Sequence, residues 1–139
     1  MNAKLSPFPE RRRIQGRAEP SDVLFEITIP RALPSWNTFY AGINRWRRME
    51  FVNAWYLYTG LYWPDHAPSE LHCPVVLDIE VGKPHHLLDC SNVCAKVVED
   101  SLVKRGLLPD DSPEYVREVR LRSVKSEKPY TRVRLYECE

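Results

Sequence analysis

Hydrophobic positions recur along this chain at two different periods, and the switches between them mark the elements. The run VLFEITI, Val23 to Ile29, is rich in apolar and β-branched residues and stops at Pro30, which predicts a strand with a mostly buried face. Leu33-Pro34-Ser35-Trp36-Asn37 then reads as a loop. From Arg45 to Tyr58 no proline or glycine intervenes. Trp46, Met49, Val52 and Tyr56 fall there near helical spacing, predicting a helix whose aromatic-rich side is buried. In VVLDIEV, Val75 to Val81, apolar residues alternate with Asp78 and Glu80, the pattern of a half-buried strand.

A second helix is expected from about Ser91 to Lys104, ended by Gly106 in the left-handed cap position. Tyr115 to Val124 and Tyr130 to Glu137 alternate as two strands, and the short SEKP stretch between them predicts a hairpin. The order is β-α-β-α-β-β, an α+β single domain over residues 23–139 with two helices packed on a mixed sheet. Residues 1–22 hold Pro7, Pro9, Pro20, Gly16 and Arg11-Arg12-Arg13 without any period, and read as a flexible basic arm.

The 139 residues suffice for one core and not for two ordinary domains. With 43% hydrophobic and 28% charged residues the composition is that of a folded globular chain. A formal net charge of +1 is not that of a general polyanion binder, so any nucleic-acid site must come from local charge separation. No apolar run approaches the ~20 residues needed to span a bilayer, and the opening MNAKLSPFPERRR lacks the apolar stretch of a secretory signal. The expectation is a protein of the cytoplasm, with Cys73, Cys90, Cys94 and Cys138 as free thiols and no membrane partner.

Chemistry concentrates in Asp89-Cys90-Ser91-Asn92, then Lys96, Glu99 and Asp100, then Asp110-Asp111. On a continuous helix Asn92, Lys96 and Asp100 would form one polar ridge with Asp89 at its mouth. Lys96 precedes Asp100, the weaker order for an i,i+4 ion pair, so helix stabilisation is a poor reason for the arrangement. Carboxylates at a helix start and in a following loop can hold Mg²⁺, which takes oxygen ligands and keeps several waters. Such an ion polarises a phosphodiester and activates a water, and a nearby lysine offsets charge in the transition state.

Plainer readings compete: Asp89 as a helix cap, Lys96 as a solvated helix residue, and Asp110-Asp111 beside Pro109 and Pro113 as turn chemistry. His86, Cys90 and Cys94 repeat every four residues and invite a zinc reading. No second Cys or His pair follows, and Cys94 is better placed as a small core residue.

The stretch Asp89-Cys90-Ser91-Asn92, Lys96, Asp100-Ser101-Leu102-Val103, Gly106-Leu107-Leu108-Pro109-Asp110-Asp111 and Tyr115-Val116 resembles the core of RusA-type Holliday junction resolvases. Pro34-Ser35-Trp36-Asn37 is similar to that family's N-terminal signature, and the resemblance covers roughly residues 23 to 137. It implies a homodimer that binds four-way DNA junctions and resolves them by paired Mg²⁺-dependent nicks. Asp89 and Asp111 would hold the metal, with Asp110 beside them and Lys96 as the family's lysine. The chain departs from the pattern at Ser91, where a second catalytic aspartate commonly stands, and by one extra residue between Asn92 and Lys96. A hydroxyl is a weaker ligand than a carboxylate, so either Glu99 or Asp100 substitutes or the protein is a catalytically weakened junction-binding or regulatory relative.

The two terminal strands carry Arg120 and Arg122 on one face and Arg132 and Arg134 on one face. Paired as a hairpin they would set like charges opposite each other, which destabilises a ladder unless a polyanion lies against it. These four arginines and Lys96 are therefore the expected DNA contacts, weighed against an ordinary solvated face.

Overall fold

The computed structural model describes residues 23–37 and 45–138; the expected basic arm at 1–22 lies outside them. Four strands, β1 (Val23–Ile29), β2 (Val75–Lys83), β3 (Val116–Lys125) and β4 (Tyr130–Glu137), form one mixed sheet. Two long helices, α1 (Arg45–Leu61) and α2 (Ala95–Lys104), complete the β-α-β-α-β-β order in an α+β fold.

The sheet order is β1-β4-β2-β3, with β2 and β3 parallel and the other pairs antiparallel. The expected β3–β4 hairpin does not exist, because β2 lies between them. The four residues Ser126 to Pro129 instead cross the end of β2, where the Ser126 amide donates to the Lys83 carbonyl at 3.0 Å. Two inter-strand spacings, about 10 Å, are within the reach of such a link. Side-chain charge favours the observed order. It places the acids of β2 between the arginines of β3 and β4, where a hairpin would have opposed arginine to arginine.

Strand alternation puts Phe25, Ile27, Ile29, Leu77, Ile79, Val81, Val133 and Leu135 in one core cluster with Trp55 of α1 and Val97, Val98 and Leu102 of α2. At about 25 cal/mol per Å² of apolar surface removed from water, this layer is the main source of stability. β2 is buried on both faces rather than one: Asp78 is only 6% exposed although its side chain points away from the helices.

The helix α1 forms as expected but turns a different side inward. Its buried residues are Trp55 and Thr59, with Val52 and Tyr58 packed beside them, while Trp46 and Met49 are exposed at 75% and 47%. Trp46 and Trp55 are nine residues apart and so lie on opposite sides of a helix with 3.6 residues per turn. The apolar residues of α1 surround much of its axis, and docking of its C-terminal half on the sheet selects the Trp55 side.

Gly106, with φ +81°, ends α2 in a Schellman arrangement: the Leu107 amide donates to the Leu102 carbonyl and the Gly106 amide to the Val103 carbonyl. Arg105 then reaches back to α1. Its Nη2 donates to the Tyr56 carbonyl at 2.7 Å and its guanidinium lies over the Tyr56 ring at 4.1 Å, fastening the two helix ends together.

Candidate functional site

The chain leaves β2 at Lys83 and passes His86, which sits at positive φ, before a single 3-10 turn over Cys90–Asn92. Asp89 precedes that turn in extended conformation. The Asn92 amide donates to its carbonyl at 2.8 Å, but the Asp89 side chain caps nothing and stays exposed. Val93 is extended and forms an isolated bridge to Ser35, so α2 begins only at Ala95. The bridge also alters the expected loop, for Trp36 and Asn37 are already helical. The single helix expected from Ser91 is thus broken at Val93. Asn92 leaves the polar ridge, and Lys96 and Asp100 alone remain on α2.

Lys96 joins two segments that the sequence separates by 15 residues. Its Nζ donates to Asp111 Oδ2 in the loop after α2, and stands 3.2 Å from Asp100 Oδ1. Asp110 sits behind, its Oδ1 accepting the Asp111 amide at 2.7 Å. The Lys96 hydrogen bond, followed by Asp110, holds the Asp111 carboxyl below its ordinary range, and the same bond to Asp111 raises Lys96. On the next turn face, burial pushes Glu99 upward, against the pull of Lys96. Of the expected site residues, Lys96, Asp100, Asp110 and Asp111 are brought together; Asp89 and Ser91 stand on the preceding turn.

The arginine face has a different character from the one expected. Arg122 Nη2 donates to Asp78 Oδ1 and Oδ2 at 3.2 and 3.0 Å, and its Nε lies 3.3 Å from Glu80 Oε2. Arg132 donates to Glu80 at 3.0 Å, Arg134 to Glu26 at 2.7 Å, and Arg120 to Glu118 at 2.9 Å. Acids on β1 and β2 alternate with arginines on β4 and β3, Glu118 of β3 adds a partner for Arg120, and each of the four arginines expected to contact DNA has a carboxylate beside it. The premise of an uncompensated basic stripe is therefore removed. Alternation already showed Asp78 and Glu80 on one face of β2, but only the strand order reveals what they neutralise.

His85, His86 and Cys90 are exposed, whereas Cys94 is fully buried, its thiol pushed up by burial. Among the described residues no three of His, Cys, Asp or Glu stand together as a group able to hold a metal ion, the zinc candidates and the aspartates included. The aspartates still offer hard oxygen donors: Asp89 is uncommitted to a cap, and Lys96 bonds one Asp111 oxygen.

Sequence reasoning missed an open cleft of about 520 Å³ between α1 and the segments flanking Pro34 and Leu88. Aromatic residues of α1 were the only sequence signal for it. A scan against models of known protein families finds no match to this chain, and a search of curated proteins finds no similar sequence.

Proposed function

We propose that the chain is a RusA-type Holliday junction resolvase or a close relative, an endonuclease that binds four-way junction DNA and nicks it in the presence of Mg²⁺. The observation that carries this reading is the contact of Lys96 with Asp111. Two residues that the resemblance assigns to one site, far apart in sequence, meet in space.

Asp89 and Asp111 would hold the ion, which suits their donor chemistry because Mg²⁺ is commonly bound through one or two carboxylates with water completing its shell. When bound it would supply a polarised phosphodiester and an activated water. The protein's own part is positional. Lys96, kept charged by Asp111 and Asp100, places a cation where negative charge builds on the phosphate, and Asp110 fixes the Asp111 backbone through its amide. A homodimer would address both equivalent strands of a junction, and Trp46, Leu57 and Leu61 leave apolar surface on α1 for a second copy. Light scattering that finds only monomer at micromolar concentration would remove the dimer.

The second reading, a catalytically weakened junction-binding protein, is favoured by Ser91 at the place of an expected carboxylate and by the commitment of Asp111 to Lys96. A four-way junction assay for binding and Mg²⁺-dependent nicking, run on the parent and on Asp111→Asn, separates them. The endonuclease reading expects nicking by the parent, its loss in the variant, and retained binding. Binding without nicking by the parent supports the second reading, and no preference for the junction over linear duplex ends both.

A further inference from the structure

We propose that the cleft beside α1 is a receptor for one unstacked nucleotide, its base held by aromatic walls and its phosphate by Arg31 and Lys83. The assignment rests on the proposed DNA-directed function and adds to it a binding site separate from the carboxylates. Phe51, Trp55, Tyr58 and Leu88 supply flat and apolar lining, and among the described residues no acidic side chain lines the cleft. Its volume of about 520 Å³ falls within the ~300–1,000 Å³ of small-molecule sites.

The cations distinguish this cleft from a plain apolar groove. Arg31 lies 4.6 Å from the centre of the Tyr58 ring and is exposed; Lys83 is half-buried at the end of β2. Among the described residues neither has an acidic partner, in contrast to the four neutralised arginines of the outer face. A guanidinium lying over an aromatic ring still offers its edge to phosphate. The complementary ligand therefore has a flat apolar body and an anionic group, which is the chemistry of a nucleotide. Base stacking on aromatic side chains tolerates any base, and a lining so poor in side-chain amides and acids reads little of a base edge.

Location links the cleft to the carboxylates. Leu88, in its wall, is followed directly by Asp89, and Ser35, also in its lining, bridges to Val93 just beyond the 3-10 turn. A nucleotide taken from a branch point would thus be anchored on the same segment that carries Asp89. Removing a base from its stack costs least where pairing is already broken, so the receptor favours junctions over intact duplex.

The test needs neither Mg²⁺ nor a junction. Tryptophan fluorescence and calorimetry would follow titration of the parent protein with deoxyadenosine monophosphate, deoxyadenosine, inorganic phosphate and laurate. The nucleotide should bind more tightly than either half alone. Arg31→Gln and Lys83→Gln should each weaken it by up to about fivefold while leaving the nucleoside unchanged, the scale of an exposed ion pair. Ala54→Trp, which fills the cleft from α1, should abolish both nucleotide and nucleoside binding with the thermal midpoint retained. Nucleotide binding no stronger than phosphate, indifference to both charge variants, or tight laurate binding without nucleotide binding would each overturn the proposal. Because these titrations omit junction and metal, failure here leaves the nicking assay standing, and a chain that fails to nick can still pass them.

Discussion

Asp78 on β2 accepts two hydrogen bonds from one guanidinium nitrogen of Arg122 on β3, at 3.2 and 3.0 Å, with the carboxylate nearly buried and the arginine half-exposed. The pair joins the inner strand β2 to the edge strand β3 on an outer face where columns of acid and arginine alternate across the sheet.

Asp78→Asn should therefore destabilise the fold by about 1–3 kcal/mol, the range for losing a charge-assisted hydrogen bond at a poorly solvated group. Arg120→Gln, which loses a partly solvated pair within one strand, should cost under about 1 kcal/mol. Urea midpoints at unchanged slope give the comparison. Equal losses in the two variants would mean that burial of Asp78 adds nothing.

Gly82 lies beneath the ring of Tyr130, its partner in the β2–β4 register, and a Cβ there would clash with Tyr130 Cε1. Gly82→Ala must displace the ring and with it the hydrogen bond that the Tyr130 hydroxyl donates to Glu80. A loss of about 1–3 kcal/mol is expected, as for overpacking elsewhere. Recovery of most of that loss in the double variant Gly82→Ala, Tyr130→Ala would identify the clash as its cause, whereas additive losses would exclude it.

Gly106 presents the opposite case, open space but a φ of +81°. Gly106→Ala should cost about 1–2 kcal/mol from backbone strain alone. Gly106→Asn should cost less, because asparagine tolerates the left-handed region. Thermal melts that rank alanine above asparagine would contradict a strain-limited cap.

The Lys96–Asp111 pair carries a defined pH dependence. Asp111 is held below its ordinary 3.8, so its contribution is present above that pH and lost as pH falls through the lowered value. Lys96 is raised above 10.5, so its contribution is present below that pH and lost as pH rises through the raised value. Both side chains are partly solvated, which limits the effect to about 1 kcal/mol and makes it salt-sensitive. A carboxyl-carbon NMR titration should show the Asp111 midpoint moving up in Lys96→Met; an unchanged midpoint would place the pair apart in solution.

Ser91 is exposed on the 3-10 turn beside Asp89, where an added carboxylate meets little steric resistance. Ser91→Asp should bind Mg²⁺ several-fold more tightly than the parent by calorimetry. No gain would show that position 91 does not face the ion or that another acid already serves.

The sequence alone determined what depends on near neighbours. Alternation in Val75–Val81 set the two faces of β2, the proline-free stretch from Arg45 set α1, and Gly106 set the end of α2, because each follows from local backbone geometry and a period of 2 or 3.6 residues. Tertiary structure decided the rest. The spacing of β3 and β4 looks like a hairpin, yet which strand edges pair depends on charges and core volume from the whole sheet, and β2 came between them. That placement turned an expected basic stripe into a neutral lattice. The choice of Trp55 over Trp46 as the buried side of α1 depended on where the helix docks, because its apolar residues lie on several sides. Lys96 met Asp111, and an apolar cleft opened beside Arg31 and Lys83, only when segments distant in sequence were packed together, which no local period encodes.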